Sequence, residues 1–463
     1  MKLDQKWKTF IIISLGIFMT TLDGSILNIA NPSIAADFNV SMDAVKWVVT
    51  AYMLMITASL IFFGRLGDKI GSEKIYRTGF IIFTVGSLFC SLSTSLLLLI
   101  LARIFQGLGG SMMMATGMGI ISNTFPASER GKALGLTGAI VGIGNMTGPS
   151  LGGLILARYQ WPVIFLINLP IGLIAFYLAF RNLEPQPQNP EIREYDLPGT
   201  FLFAISVIAL VASLSGAQGV NVPILLASLI TILLFVQYEG RAAHPMLDFS
   251  LFKVKPFLSG NLIAMGIYTI QMSVFFLMPF YMETLLQLPT STTGLLMTIL
   301  PITMAITAPL AGTLSDKIGS SRIISASILL ISIAFVILSR LGTDTNLINI
   351  AIGLFMIGLA MGLFGSPNNS SILGSIPRHK VGYAGGFLST VRNLAFSLGI
   401  SVSAAIFTYV YQTAGRTMPF EQAYIQGIHT VYTLAAIIGV FFFLFSLINR
   451  RNSKKPPIKQ ESL

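Results

Sequence analysis

The chain has 463 residues, of which 54% are hydrophobic and only 10% are charged, and its formal net charge is +11. A soluble protein carries about 25% charged residues, so this composition excludes a water-soluble globule and indicates a membrane protein. The basic residues are spread over short segments, which argues against a nucleic-acid partner, and the single cysteine excludes an intramolecular disulfide or a multi-cysteine metal site.

The predicted elements are membrane-spanning helices, taking about 18 or more predominantly apolar residues as the criterion. Most lysines and arginines fall in segments on the same side of the membrane as the N-terminus. The positive-inside rule therefore predicts that both termini are cytoplasmic. In chain order the fourteen predicted helices cover residues 9-36, 44-66, 75-95, 97-123, 132-157, 161-181, 197-217, 221-239, 256-285, 291-314, 322-341, 346-374, 382-412 and 427-449.

The first predicted helix contains Asp23, the only acidic residue well inside any predicted span. A rise of 1.5 Å per residue from Lys8 places it about 22 Å from the cytoplasmic face, and Arg103 lies about 12 Å below the outer face when counted from Ser95. In a core of about 30 Å the two lie near one level. We interpret Asp23 as a proton carrier and Arg103 as its modulator; the alternative is a permanently ionised structural pair.

A segment after the second helix, GRLGDKIGSEK at 64 to 74, recurs as GTLSDKIGSSR at 312 to 322. Gly64 and Gly71 are predicted to allow tight turns next to Asp68 and Lys69, and a solvated loop charge is the other explanation for Asp68. Asp68 and Asp316 are 248 residues apart (316 − 68), which is longer than a six-helix repeat requires, so the spacing predicts two inserted helices.

The predicted units follow from this spacing. They are a six-helix bundle over 1-183, a linker with two additional helices over 184-245, a second six-helix bundle over 246-450, and a basic cytoplasmic tail over 451-463.

The fifth predicted helix contains a stripe of glycines that includes Gly144, Gly148 and Gly152, together with Pro149. Small residues let a neighbouring helix approach closely, and proline bends a helix. Ordinary packing between membrane helices is an alternative explanation for most of these glycines.

Candidate substrate residues lie on helices of the second half. We interpret these aromatic, amide and charged side chains as lining an adaptable cavity, with packing or lipid contact as the alternative. On the ninth helix, a carboxylate near the outer end either attracts cationic substrates or faces the outer water. The set is Tyr268, Gln271, Phe275, Glu283, Asn368 and Arg392.

The sequence resembles the fourteen-helix drug/proton antiporter branch of the major facilitator superfamily, the multidrug efflux type. It departs from that pattern at Asn31, where an apolar residue is usual, and at Ser72 and Glu73, which replace a basic pair. The matching segments are LDGSILNIANPSI at 22 to 34, GRLGDKIGSEK, LARIFQGLGG at 101 to 110, GNMTGPSLGG at 144 to 153, WPVIFLINLPIG at 161 to 172, YDLPGT at 195 to 200, HPMLDFSLF at 244 to 252 and SPNNSSILGSIPRHKVGYAGG at 366 to 386.

This resemblance implies an all-α major facilitator fold, with two six-helix bundles plus two inserted helices in the cell membrane. It implies that Asp68 docks near Gly382 at the start of the thirteenth helix, and by symmetry Asp316 near Gly131, where a helix dipole favours a carboxylate. The implied latch consists of Gly64, Asp68, Lys69, Gly71 and Asp316. The implied antiporter motif of Gly144, Gly148, Pro149 and Gly152 packs against the other half, seals the pore and indicates export.

We therefore expect a proton-coupled secondary active exporter of lipophilic drugs or toxic small molecules, working by alternating access and contributing to antibiotic resistance. It is expected to be a monomer and not an enzyme, with the proton as coupling ion, the lipid bilayer as its surroundings, and no metal or other cofactor. A Gly-x-x-x-x-Gly-Lys-Ser/Thr loop is absent from the sequence, which excludes that route to nucleotide binding. An exporter of a lipid or endogenous metabolite shares every motif above, and a non-transporting sensor or channel is the remaining alternative.

Overall fold

The computed structural model describes residues 4–186, 196–214, 221–242, 249–376 and 381–452, and every regular element within them is helical. A 3-10 turn covers Phe249–Lys253 and a π-helical turn covers Tyr281–Leu285. The α-helices are α1 Gln5–Asp37, α2 Met42–Ile70, α3 Ser72–Ser91, α4 Leu96–Thr124, α5 Ala127–Leu156, α6 Val163–Leu166, α7 Asn168–Asn182, α8 Leu197–Ser213, α9 Val222–Glu239, α10 Lys255–Phe280, α11 Thr290–Ile318, α12 Ser320–Leu338, α13 Leu347–Gly374, α14 Val381–Ala414 and α15 Phe420–Asn452.

Length and composition make eleven helices of the described residues capable of crossing a membrane. The short helix α6 and helix α7 together form one of these spans, Val163–Asn182. Apolar stretches in α5 and α8, Ile140–Leu156 and Pro198–Ser213, fall short of the required length. The predicted count of fourteen membrane spans is therefore not confirmed, although the all-helical fold is.

Two glycines form the corners at which the repeated segment turns. Gly71 joins α2 to α3 with φ 107°, and Gly319 joins α11 to α12 with φ 90°. Residues with a Cβ rarely adopt this conformation, so glycine is required at both corners. Gly64 lies inside α2. The predicted turn at Gly64 is wrong, because the intervening residues continue the helix up to Ile70.

Helices α1 to α7 pack mainly on one another, and so do helices α10 to α15. Two seams join these groups, one between α5 and α11 and the other between α2 and α14. Helices α8 and α9 pack as a pair, and Val207 and Val211 of α8 cluster with Leu54 of α2 and Leu394 of α14. The inserted pair thus lies beside the α2–α14 seam. The predicted limits at residues 183, 245 and 450 stay predictions.

Candidate functional site

The centre of the first helix group holds a buried ion pair between α1 and α4. Arg103 Nη1 donates to Asp23 Oδ2 at 2.6 Å, and the two residues are 0% and 1% exposed. Arg103 Nε donates to the Val48 carbonyl at 3.1 Å, and the guanidinium carbon lies 4.0 Å from the centre of the Tyr52 ring. The structure therefore brings together the two charged residues that the depth estimate placed near one level.

Two amide side chains complete the shell around the carboxylate. Asp23 Oδ1 accepts from Gln106 Nε2 and from Asn168 Nδ2, each at 2.9 Å. Gln106 Nε2 also lies 2.7 Å from Ser87 Oγ, and Gln106 Oε1 accepts from Arg103 Nη1 at 2.5 Å. All three donors to Asp23 come from the first helix group, so the site is built without any residue of the second.

Sequence reasoning missed both amides. Gln106 follows Arg103 by three residues, a spacing that places both on one helix face. Asn168 begins α7 after the break at Ile167. The available signal was an uncharged polar residue inside an apolar span, which is a weaker signal than a charge, although a buried amide also needs a hydrogen-bond partner.

The shell supplies hydrogen-bond partners to both carboxylate oxygens of Asp23. Burying a charge is costly unless it is paired and hydrogen-bonded, and here a buried guanidinium and two amides meet that requirement. Among the described residues, Arg103 Nη2 has no hydrogen-bond partner although it is buried. A proton reaches Asp23 only after the surrounding helices move, since neither side chain faces water here.

The glycines of the predicted antiporter motif pack α5 against α1. A Cβ at Gly144 would lie 2.1 Å from Thr21 Oγ1, and a Cβ at Gly148 would lie 1.9 Å from Ser25 Oγ. At Gly152 it would lie 2.9 Å from Ile26 Cγ1. The motif glycines therefore hold α1 and α5 together within one half, rather than facing the other half as the resemblance implied.

Other residues of the same segment make the α5–α11 seam. A Cβ at Gly153 would lie 3.0 Å from the Thr290 carbonyl oxygen, and a Cβ at Gly294 would lie 2.5 Å from that of Pro149. Ser150 Oγ and Thr298 Oγ1 are hydrogen-bonded at 2.6 Å. The two halves are closed against each other at this end of the molecule, which is the outer end in the predicted orientation.

The opposite end is more open. A Cβ at Gly64 of α2, or at Gly385 or Gly386 of α14, would meet no atom within 4 Å. The predicted latch lies at this end, where Asp68 is exposed in α2 and Lys69 belongs to the last turn. The side chain of Asp316 and the docking positions at Gly131 and Gly382 lie outside the described side chains, so the latch stays a prediction.

The departure at Glu73 has a structural reason. Its side chain is 2% exposed and accepts from the backbone N–H of Gln186 at 2.9 Å. Arg77, one turn further along α3, donates to the Ala179 carbonyl at 3.1 Å and to that of Leu183. An acidic residue at this position therefore helps α3 to hold the end of α7 and the start of the following linker.

The predicted substrate residues lie at several levels of the second helix group. Tyr268 is buried between the rings of Phe364 and Phe396, each with its centroid 5.7 Å away. Arg392, on α14, lies near the Tyr268 hydroxyl, and Gln271 lies about one turn beyond Tyr268 on α10. These residues share a level near the middle of the second helix group.

The other three members of the predicted set lie at other levels along α10. Asn368 is 1% exposed and donates to the Gly260 carbonyl at 3.4 Å, nearer the start of α10, and Phe275 is partly buried about two turns beyond Tyr268. Glu283 follows Tyr268 by 15 residues (283 − 268), or about 22 Å. The two residues therefore lie at different levels of the second helix group, and their assignment to one cavity stays a prediction.

Asn31, where the resembling family usually has an apolar residue, places a polar side chain in the buried part of α1. Asn31 is 0% exposed, and neither its Nδ2 nor its Oδ1 has a hydrogen-bond partner in the described part of the chain. Asn28, one turn earlier on the same face of α1, has an unpartnered Oδ1. Buried amides normally have partners, so these atoms are available to a polar ligand or to water.

Comparison with known proteins identifies the fold. A model of the Major Facilitator Superfamily matches residues 13–400 and again residues 291–462. The chain belongs to this superfamily. A solved major facilitator-like transporter of the POT family, in complex with 5-aminolevulinic acid, superposes with a TM-score of 0.73 at 12% identity, covering 97% of this chain and 96% of that one.

Two curated relatives of this superfamily member differ in what they transport. The riboflavin transporter RibZ of Clostridioides difficile is 44% identical over 453 residues, covering 98% of this chain and 99% of the relative. The multidrug resistance protein Stp of Mycobacterium tuberculosis is 31% identical over 407 residues, covering 86% of this chain and 75% of the relative. This major facilitator protein is a transporter, not an enzyme, and a multi-pass protein of the cell membrane.

Proposed function

We propose that this protein is a proton-coupled secondary exporter of small aromatic molecules that works by alternating access. The observation that carries the proposal is the buried network of Asp23, Arg103, Gln106 and Asn168. An ionisable residue inside a membrane span is a functional candidate by default. The Asp23 carboxylate has one counter-ion, Arg103, so a change in the charge of either side chain leaves the other without a charged partner.

The proton step uses the chain's own groups. A proton on Asp23 neutralises the carboxylate and removes its Coulombic attraction to Arg103, so the contact with Arg103 Nη1 is charge-assisted from the guanidinium side only. The guanidinium then seeks other acceptors, and it already contacts Gln106 Oε1 and the Val48 carbonyl. This exchange of partners couples the protonation of α1 to the position of α4.

The available driving force favours a neutral substrate. One proton entering down ~100 mV releases ~2.3 kcal/mol, and one pH unit adds ~1.4 kcal/mol. Together they sustain roughly a 500-fold gradient of a neutral compound, but only about tenfold for a monovalent cation, because the voltage contributions of the two exchanged charges cancel.

Export is supported by the packing of α5 and by the relatives. The closed α5–α11 seam is the kind of contact that prevents leak through an exporter, and the proteins of known name that resemble this chain include a multidrug resistance protein. On this basis the substrate is a lipophilic drug-like compound, and the protein contributes to antibiotic resistance.

Transport of riboflavin or a similar heteroaromatic compound is a second candidate. The relative at 44% identity, matched over nearly its full length, is a riboflavin transporter. The unpartnered amide atoms of Asn31 and Asn28 suit a planar ligand that carries both N–H donors and carbonyl acceptors. A purely lipophilic drug leaves these groups without partners, whereas such a ligand satisfies them.

Proteoliposomes with an imposed pH gradient test both candidates. Uptake or release of a lipophilic dye and of riboflavin is measured for the wild type, for Asp23→Asn, and for Asp4→Asn as an exposed-carboxylate control. Gradient-driven movement that is lost in Asp23→Asn and kept in Asp4→Asn supports proton coupling, and the transported compound selects the substrate class. Transport of both compounds that is independent of the gradient contradicts the proposal.

A further inference from the structure

Glu283 is a partly buried carboxylate that the Asp23 network does not include. It lies in the π-helical turn Tyr281–Leu285, which directly continues α10. Its Oε2 accepts from the Thr290 hydroxyl at 3.3 Å, while its Oε1 is buried and has no hydrogen-bond partner in the described residues. Single π-helical turns are rare and occur frequently at functional sites.

The residue that contacts Glu283 is also the residue at which the two halves meet. Thr290 begins α11, and its carbonyl oxygen lies 3.0 Å from the Cβ position of Gly153 on α5. One turn further, the Cβ position of Gly294 lies 2.5 Å from the carbonyl oxygen of Pro149. Glu283 therefore lies directly behind the closed α5–α11 seam and is tied to it through one hydroxyl group.

The surroundings of Glu283 favour its neutral form while the seam is closed. Burying an ionised carboxylate without a cation is costly. The nearby Thr293 hydroxyl, which is buried and has no partner among the described residues, can donate to the carboxylate and offsets only part of this cost. Opening the seam would admit water, which stabilises the ionised form instead.

The other titratable groups at this end, on the elements packed against the π-helical turn, are engaged elsewhere or exposed. The Tyr281 hydroxyl donates to the Gly342 carbonyl at 2.7 Å, and His429 Nε2 lies 2.6 Å from the Leu341 carbonyl. Glu421 is exposed, and the Tyr424 hydroxyl is buried without a partner among the described residues. None of these groups forms an ion pair with Glu283 in the described structure.

We propose that Glu283 is a second proton-binding site, which is protonated when the α5–α11 seam is closed and which favours the open seam when it is ionised. Low pH on this side therefore stabilises the closed seam and high pH opens it. The inference rests on the alternating access proposed above, but it does not require that Asp23 carries the transported proton.

Distance measurements across the seam test this proposal without any transport assay. Leu154 on α5 and Leu295 on α11 are 60% and 62% exposed, so cysteines there accept spin labels, while the native Cys90 is buried. Double electron–electron resonance is recorded in lipid nanodiscs at pH 5 and pH 9. We expect a short distance at pH 5 and an added longer distance at pH 9 in the labelled wild type.

Three variants identify the responsible group. Glu283→Gln should keep the short distance at both pH values, because the amide imitates the neutral acid. Thr293→Val removes a hydroxyl that can donate to the ionised carboxylate and should shift the opening to higher pH. His429→Gln, which replaces the neighbouring imidazole by a neutral amide, should keep the wild-type response.

Several results would overturn the proposal. They are a wild-type distance that does not change with pH, a Glu283→Gln variant that opens like the wild type, and loss of the response in His429→Gln. Failure of the proposed transport function is a separate outcome, since a protein that moves no substrate against a pH gradient still reports the pH dependence of its seam.

Discussion

Replacing Asp23 with asparagine should affect stability and proton coupling in separable ways. Arg103 is fully buried and loses its charged partner at 2.6 Å. Breaking a buried pair by removing one partner costs about 3–5 kcal/mol, because an uncompensated charge remains in the interior. The new amide group also faces donors on both sides, from Arg103 and from Gln106 with Asn168, so at least one contact becomes unfavourable.

The double variant Asp23→Asn/Arg103→Gln removes the uncompensated charge. If the first helix group unfolds as a unit, about 2–4 °C per kcal/mol predicts that Asp23→Asn lowers Tm by roughly 6–20 °C. The double variant should recover much of that loss, since replacing both ions by neutral groups avoids the buried charge. It should not recover pH-driven transport, because neither remaining side chain binds a proton in the required range.

The assays are a thermal-shift measurement in detergent and transport in proteoliposomes with an imposed pH gradient. Gln106→Leu is a matched control, which removes a hydrogen-bond partner of Asp23 but leaves both charges in place. Restored pH-driven transport in the double variant would refute Asp23 as the proton carrier and identify a structural pair. A Tm of Asp23→Asn within about 2 °C of the wild type would refute the reasoning about the buried charge.

Three further changes test other parts of the structure. Gly71→Ala forces a side chain into φ 107° and should cost about 1–3 kcal/mol, seen as a lower Tm, whereas Gly64→Ala lies in open space inside α2 and should not destabilise. Gly153→Val places atoms about 3.0 Å from the Thr290 carbonyl and should hold the α5–α11 seam open in the distance measurement. Asn31→Leu removes up to two hydrogen bonds to bound riboflavin, each contributing about 0.5–1.5 kcal/mol. It should therefore raise KM for riboflavin roughly 5–150-fold, without a similar change for a lipophilic dye.

These three predictions have clear contrary results. Equal Tm values for Gly71→Ala and Gly64→Ala would show that the corner tolerates a side chain. A seam that stays closed in Gly153→Val, as expected for the control Gly142→Ala, whose new Cβ would lie 3.5 Å from that of Ala305, would show that the seam tolerates a side chain at Gly153. An unchanged riboflavin KM in Asn31→Leu would remove the amide argument for a flavin-like substrate.

Positions along a helix are what the sequence predicts best here. Asp23 and Arg103 were expected near one level because the rise per residue is constant and charges inside spans are few. The rotation of one helix against another is not fixed by spacing alone. For this reason Gln106 and Asn168 were missed, and the partner of Gly144 and Gly148 turned out to be α1 rather than the other half.

The glycines of the repeated segment show a similar limit to what the sequence predicts. The predicted turn at Gly71 is confirmed, and its counterpart in the second copy, Gly319, forms a corner as well. Gly64 and its counterpart Gly312 also recur, but nothing around them breaks a helix, so they lie inside α2 and α11. The recurrence of a glycine therefore did not by itself predict a turn.

The duplication is symmetric in its backbone and asymmetric in its charges. Adding 248 to Gly71 gives Gly319, and both residues have positive φ. Adding 248 to Asp23 gives Gln271, an amide that forms hydrogen bonds but does not exchange a proton at physiological pH. The second half has its carboxylate at Glu283 instead, 12 residues (283 − 271) or about 18 Å farther along the chain. We therefore propose that a proton at Asp23 acts at the centre of one half and a proton at Glu283 at the seam between the halves, so that the two protonations control different motions of the same fold.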